Sequence, residues 1–302
     1  MIAKGENYEL YNADCLKILK EIEDKSVDMI LCDLPYGVTA KNKWDTIIPL
    51  NDYIILDNKH IEKEDYYLLQ QLNGLTKKEI DLIWKREKID GLWTYYNRII
   101  KDNGAIVLFG QDKFTAETML SNKRNHRYNL IWKKVLPSGF LNANRMPLRE
   151  HEDIMVFYKK LPTYNPQKVK GKPCHSKGKV VGEMNDKQLQ NNNYGDFKCV
   201  ETKGDMKFPT SILEFPKPHP STTVHPTQKP VELLEWLIKT YTNEGELILD
   251  NCMGSGSTGV ACLNTKRRFI GIELEEDYFN IARERLNEKE GYCEFKKYKC
   301  YI

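Results

Sequence analysis

The chain has 302 residues, 40% of them hydrophobic and 29% charged, with a formal net charge of +3. That length suits one large α/β domain, or a core domain plus a smaller lobe, and the composition is that of a globular protein. No apolar run approaches the roughly 18–20 residues of a membrane span, and the opening MIAKGENYEL lacks the apolar core of a signal peptide, so a membrane partner is excluded and a cytoplasmic location is expected.

Taken in order, residues 8–20 read as a strand, a turn at Asn12-Ala13-Asp14 and a helix that Asp14 is placed to cap. The apolar run from Val27 to Cys32 reads as a buried strand that halts at Asp33-Leu34-Pro35-Tyr36. Proline cannot continue a central strand, and it holds the residue before it extended. A carboxylate and a phenol ring therefore stand on a stiff turn at the carboxyl end of a strand, where open α/β sheets bind ligands. The carboxylate accepts hydrogen bonds from an amino group and the ring stacks on a planar base. The alternative is a plain strand-ending turn in which Asp33 caps a backbone group.

Residues 38–49 read as a loop in which Trp44-Asp45 packs locally or closes over a ligand. Residues 51–90 are charged and tyrosine-rich. Leu75, Ile80, Ile83 and Trp84 there lie on one face of an amphipathic helix, so the segment reads as an inserted subdomain. A helix over 91–100, a stop at Lys101-Asp102-Asn103-Gly104, a second buried strand from Ala105 to Gly110 and a helix near 112–120 follow. This alternation favours a mostly parallel sheet. Residues 123–134 mix bases with aromatics around a strand at 128–132. Their lysines and arginines either meet phosphates or form a solvated rim. The next stretch is loop-like and ends in a strand from Asp153 to Lys159.

Residues 159–223 change character. Lys159, Lys160, Lys168, Lys170, Lys172, Lys177 and Lys179 crowd a segment with prolines, glycines and little apolar periodicity. It reads as an irregular lobe whose basic surface suits a polyanion, or else as a linker. Of the eight cysteines, none forms a CxxC pair; Cys15, Cys32, Cys252 and Cys262 fall in apolar stretches and read as free, packed thiols. Cys174-His175 with Cys199 fits no common zinc spacing, so no metal is expected.

His225-Pro226-Thr227-Gln228-Lys229-Pro230 precedes a helix with Leu233, Leu234, Leu237, Ile238 and Tyr241 on its apolar face. A strand ending at Asp250 then runs into Asn251-Cys252-Met253-Gly254-Ser255-Gly256-Ser257-Thr258-Gly259, a helix, a strand ending at Glu273 and a helix with acids in its first turn. The glycines let backbone approach a ligand, and the terminal acid is placed to accept both hydroxyls of a ribose. Gly254 to Gly259 also fits the GxGxxG of nicotinamide and flavin enzymes, but too few residues follow Glu273 to supply the second half of a dinucleotide fold. A cofactor with one ribose and no pyrophosphate, S-adenosylmethionine, fits better.

Asp33-Leu34-Pro35-Tyr36 resembles the DPPY catalytic motif of DNA amino-methyltransferases, Asp250 to Thr258 their cofactor loop, and HPTQKP the segment before it. The order is catalytic motif, target-recognition region, cofactor motif, which resembles the permuted β class of adenine-N6 and cytosine-N4 enzymes of phages and restriction–modification systems. The resemblance covers roughly 8–49, 91–160 and 205–286. It implies an α/β fold with a Rossmann-like, circularly permuted methyltransferase sheet. The domains would be a catalytic half over 1–158 with a helical insertion at about 51–90, a target-recognition lobe over 159–223, a cofactor half over 224–290 and a tail over 291–302.

On this resemblance Asp33, Pro35 and Tyr36 are catalytic. The cofactor residues are Asp14, His225, Thr227, Lys229, Asp250, Cys252, Met253, Gly254, Ser255, Gly256, Thr258 and Glu273. The DNA contacts fall to Lys168, Lys170, Lys172, Lys177 and Lys179. The implied partner is double-stranded DNA, with a homodimer and a cognate restriction endonuclease as further partners to test for, and the implied location is the cytoplasm of a bacterium or phage-infected cell. Asp33 points to adenine, since serine is commoner at this position among cytosine-N4 enzymes. Cytosine-N4 transfer, a non-catalytic DNA-binding module, and RNA or protein methylation stay open. The chain departs from the family pattern at Leu34, at Asn251-Cys252 and in the 51–90 insertion.

Overall fold

The computed structural model describes residues 1–37, 45–172, 205–218 and 228–291. In chain order these form β1 (Ile2–Lys4), β2 (Tyr8–Asn12), α1 (Cys15–Glu21), β3 (Val27–Cys32), β4 (Tyr53–Leu56), β5 (Lys59–Glu62), α2 (Lys63–Leu72), α3 (Lys77–Glu87) and α4 (Leu92–Ile99). Next come β6 (Ile100–Gly110), α5 (Asp112–Ser121), β7 (His126–Ser138), β8 (Arg149–Phe157), β9 (Val169–Lys170), β10 (Met206–Lys207) and β11 (Ile212–Phe215). The chain continues with α6 (Val231–Tyr241), β12 (Leu247–Asp250), α7 (Ser257–Asn264), β13 (Arg268–Glu273) and α8 (Glu276–Glu290).

Among the described residues one nine-stranded sheet runs β1-β2-β13-β12-β3-β6-β8-β7-β11. Its centre, from β2 to β6, is parallel, as the alternation of helix and strand led us to expect. β1 on β2, and β8 against both β6 and β7, are antiparallel. Side chains alternate across the sheet. Met29, Leu31, Val107 and Phe109 face one core, completed by α6, α7 and α8. Ile30, Cys32, Ile106 and Leu108 face the other, completed by α1, α4 and α5. Strands buried on both faces need the near-continuous apolar runs seen in the sequence.

The topology carries the two motifs together. β12 lies parallel to β3, with Ile248 beside Met29 and Leu249 beside Ile30. The chain leaves β12 toward β13 on one side and β3 toward β6 on the other, so their carboxyl ends flank a topological switch point, the position at which open α/β sheets bind ligands. Asp33 and Asp250, far apart in sequence, sit at neighbouring strand ends.

Two local readings change. Lys101–Gly104, expected as a stop and turn, lies inside β6. Pairing passes from Val27 opposite Ile100 to Met29 opposite Ala105, so the polar tetrapeptide bulges out of the ladder instead of ending the strand. The 51–90 insertion holds the expected helix as α3, closed by a capping box in which Thr76 and Glu79 bond each other's backbone. It also holds the β4–β5 hairpin and α2, around a small core of Ile54, Tyr66, Ile80 and Trp84.

Pro166–Thr210 forms a second, smaller unit. Its described part is a two-stranded ribbon in which Val169 and Lys170 pair with Lys207 and Met206. Lys168, Lys170 and Lys172 are exposed on it. The Lys168 ammonium lies 4.5 Å from the Phe208 ring centre, and Lys170 lies 3.7 Å from Asp205. Lys177, Lys179, Cys174, His175 and Cys199 lie outside the described residues, as do His225 and Thr227.

Candidate active site

A cavity of about 660 Å³ opens at the switch point, within the volume range typical of small-ligand sites. Its wall includes Asp33, Pro35 and Tyr36 from the turn after β3, and Asp250, Gly254 and Glu273 from the second motif. The two motifs thus share one cleft.

On one side stands the Asp33 carboxylate. Tyr36 donates its hydroxyl to Asp33 Oδ1 at 2.7 Å, and Lys229 donates to Oδ2. Phe114 of α5 backs the Tyr36 ring at 4.8 Å. Behind the turn, the buried Asp45 accepts from the Gly37 amide at 2.9 Å, so of the Trp44-Asp45 pair the acid acts locally; Trp44 lies outside the described residues.

Lys229 was expected on the cofactor side. Its ammonium instead bridges Asp33 and Glu152, the latter at 3.4 Å, over the Phe109 ring. Lys134 closes the series with a 2.5 Å contact to the other Glu152 oxygen. The result is a chain of alternating charges, Asp33, Lys229, Glu152, Lys134, whose lysines are only 8% and 2% exposed. Burial pushes the Asp33 carboxyl above its usual range, and Lys229 offsets only part of that. Burial also acts on Glu152, but Lys229 and Lys134 outweigh it and hold that carboxyl below its usual range. Burial disfavours a charged Lys229, yet its two carboxylates more than compensate, so it stays an ammonium. Burial holds the Tyr36 phenol well above its ordinary range, so it remains a donor.

The sequence reading missed Lys134 and Glu152. The lysines at 133–134 were expected together to meet phosphates or to form a solvated rim, whereas Lys133 pairs with Glu214 at the surface and Lys134 points inward. The signal was present: Leu130, Trp132 and Lys134 share one face of β7 at period two, and Glu152 stands opposite Trp132 on β8.

On the other side, Glu273 ends β13 and accepts from the Gly254 amide at 2.9 Å and the Glu275 amide at 2.8 Å. Burial raises this carboxyl and those amides resist the shift. Asp250 accepts from the Cys252 amide at 3.1 Å and the Thr258 hydroxyl at 2.7 Å, and burial pushes its carboxyl up to about 6. Asp14 caps α1 through the Leu16 amide at 2.9 Å and also lines the cavity. Cys252, Met253, Ser255 and Thr258 line it as well.

Gly256 does not line the cavity. It stands at φ +77°, and a Cβ there would meet the Cβ of Ala282 at 2.8 Å, so this glycine serves the packing of α8. Two supports escaped the sequence reading because each arrives from a distant helix. Tyr96 of α4 donates to Asn251 Oδ1 at 2.5 Å, and Arg285 of α8 donates to the Ser255 carbonyl at 2.5 Å.

Residues 27–284 match the family model described as DNA methylase, of the N6/N4 type. The chain belongs to the N6/N4 DNA methylase family. Among curated relatives, it is 28% identical to the type II methyltransferase M.BglII of Bacillus subtilis over 92% of this chain and 69% of that protein. It is also 28% identical to M2.LlaDCHI of Lactococcus lactis subsp. cremoris, over 95% of this chain and 92% of the relative. Among solved structures, the PvuII DNA methyltransferase (cytosine-N4-specific) aligns with a TM-score of 0.57 at 14% identity, covering 95% of this chain and 93% of that one. The complex of M1.HpyAVI with S-adenosylmethionine aligns with a TM-score of 0.50 at 22% identity, over 92% and 100% of the two chains.

For this DNA methylase the methyl donor is S-adenosylmethionine, and the cavity fits it. Glu273 is a half-buried acid with acceptor capacity left beside its two amide bonds, as a ribose diol requires. Gly254 lines the wall at φ +51°, leaving backbone without a side chain open to the cavity. Among the described residues no cluster of metal-ligating side chains occurs, and no helix is long and apolar enough to cross a membrane.

Proposed function

We propose that the chain transfers a methyl group to the exocyclic N6 amine of an adenine extruded from duplex DNA, as the modifying enzyme of a restriction–modification system. The observation that carries this reading is the shared cavity: the Asp33–Tyr36 turn and the Gly254–Glu273 ribose cradle open into one cleft. S-adenosylmethionine supplies a sulfonium-borne methyl. Everything else is positioning and electrostatics from this chain.

An exocyclic amine is a poor nucleophile because its lone pair is shared with the ring. Asp33 and the Pro35 carbonyl accept its two N–H bonds and turn that lone pair toward the methyl. A carboxylate has about four acceptor positions, so Asp33 retains room for the amine beside Tyr36 and Lys229. Asp33 accepts only when ionised, and the Lys229 ammonium favours that state. Tyr36, backed by Phe114, stacks on the extruded base. Glu273 would hold the ribose, and Met253, Gly254, Ser255 and Thr258 would surround the methionine end. No enzyme-bound covalent intermediate is required. The Cys252 thiol, hydrogen-bonded to Cys15 and Cys32, is held well above its ordinary range and stays protonated. Lys168, Lys170 and Lys172 meet phosphates.

Adenine is favoured over cytosine by the aspartate at position 33. The second reading is cytosine-N4 transfer, since the same acceptors suit that amine. Digestion of DNA methylated by the purified protein to nucleosides, followed by mass spectrometry, separates them. N6-methyladenine is expected, and N4-methylcytosine alone defeats the adenine assignment. Sequencing of expression-host DNA with modification detection then locates the recognition site.

A further inference from the structure

Part of the β7–β8 hairpin lies outside the cavity wall. Its body supplies Trp132, Lys134 and Glu152 to the cavity wall, and its neck supplies Ser138 and Arg149. Beyond the neck the chain is exposed throughout from Gly139 to Leu148. This tip is strongly apolar. Phe140 is 69% exposed, Leu141 fully exposed and Met146 half exposed. Its sequence, GFLNANRMPL, holds no acid and one arginine.

The tip is also built to project. Pairing passes from Lys133 opposite His151 to Ser138 opposite Arg149, so β7 spends five residues where β8 spends two, and the ribbon is bent there. Gly139 then enters a short 3₁₀ turn at φ +94°, with open space around its Cβ position. The turn is closed by backbone bonds from Asn142 to Gly139 at 2.9 Å and from Met146 to Asn142 at 3.0 Å. Phe140 and Leu141 are therefore held outward on an ordered turn. Leaving large apolar side chains in water is unfavourable, and such patches mark binding surfaces.

We propose that this tip is a wedge for duplex DNA: Phe140 and Leu141 enter the base stack beside the target and fill the space that the extruded base leaves. The partner is argued from continuity and charge. The tip begins at residues of the catalytic cavity, where DNA must lie in a DNA methylase. The segment from Gly139 to Leu148 carries Arg145 and no acid to repel phosphates, while at the neck Arg149 is ion-paired with Asp112. Apolar side chains unstack base steps in this way in other DNA-binding proteins. The inference rests on the proposed extrusion of the base.

The test uses the full-length protein with S-adenosylmethionine and labelled duplexes carrying the recognition site located by sequencing. In one duplex the target base is paired. In the other it faces an abasic position, so extrusion costs little. The variant F140S/L141S is expected to bind S-adenosylmethionine unchanged, to lose about tenfold or more in transfer to the paired duplex, and to recover to within about threefold of the parent protein on the abasic duplex. The variant F140L/L141M, which keeps apolar bulk, is expected to retain transfer on both. Full activity of F140S/L141S on the paired duplex overturns the wedge. So does equal loss on both duplexes, which makes the tip a general DNA contact. So does a loss of self-association relative to the parent protein in sedimentation, which makes it an interface with a second copy. Failure of the parent protein on both duplexes instead sinks the base-transfer reading itself.

Discussion

Two sets of lysines behave differently in this molecule. Lys134 and Lys229 are buried in the cavity, each against a carboxylate, while Lys168, Lys170 and Lys172 stand exposed on the smaller unit. A buried cation that lost its partner would be strongly destabilising, so its position is fixed by the acid it meets. Its effect is local: it sets the ionisation of Asp33 and Glu152 at short range, where salt screens little. An exposed lysine acts through the field it adds to, and that field fades within about 10 Å at 0.1 M salt. On the proposed function the first set serves chemistry and the second affinity.

The largest effect tests the acid that the buried set serves. Asp33→Ala is expected to lower methyl transfer about a thousandfold while S-adenosylmethionine binding, measured by calorimetry, persists. Substantial activity in that variant breaks the mechanism. Lys229→Gln comes next. Without the ammonium, the Asp33 carboxyl rises further above its already raised position, and activity that needs ionised Asp33 is lost at a higher pH. The acid limb of the kcat–pH profile is expected to move upward by about one unit, with kcat down about 10–100-fold. An unmoved limb makes Lys229 a packing residue only.

For the exposed set the expected change is smaller and of another kind. The variant K168A/K170A/K172A is expected to weaken DNA binding about three- to tenfold at 0.1 M salt and to flatten the dependence of log affinity on log salt by about 0.9 for each phosphate left without its lysine. Its kcat at saturating DNA should stay unchanged. A fall in kcat with an unchanged salt slope would erase the distinction between the two sets.

Asp250 gives the smallest effect on DNA binding but a clear one on stability. Its folded carboxyl sits at about 6, above the ordinary 3.8, so the folded state binds the proton more tightly. Its contribution is therefore full below about pH 4 and is lost as pH rises through 6, by up to about 3 kcal/mol. Asp250→Asn, which cannot titrate, is expected to gain melting temperature relative to the parent between pH 4.5 and 7.5. A difference that stays constant with pH would place the titration elsewhere.

Local pattern made much of this molecule legible. The alternation of apolar strands and helices, the turn at Pro35, the cap at Asp14 and the glycine turn all depend on neighbours a few residues away. Lys101–Gly104 misled because the same polar tetrapeptide serves a turn or a bulge, and the strand paired beside it decides which. Gly256 misled because a glycine that admits a ligand and one that admits a helix look alike in a sequence.

By itself, then, the amino-acid order placed the candidate site residues on their turns: a carboxylate and a phenol on one stiff turn, a glycine turn and an acid on another. Only the tertiary structure decided what surrounds them. It set Lys229 against Asp33, drew Lys134 and Glu152 in beside it, and left Phe140 and Leu141 outside. The reason is physical: turns and strand periods are set by short-range sterics, whereas the partner of a buried charge is set by whichever strand end the sheet brings within a few ångströms.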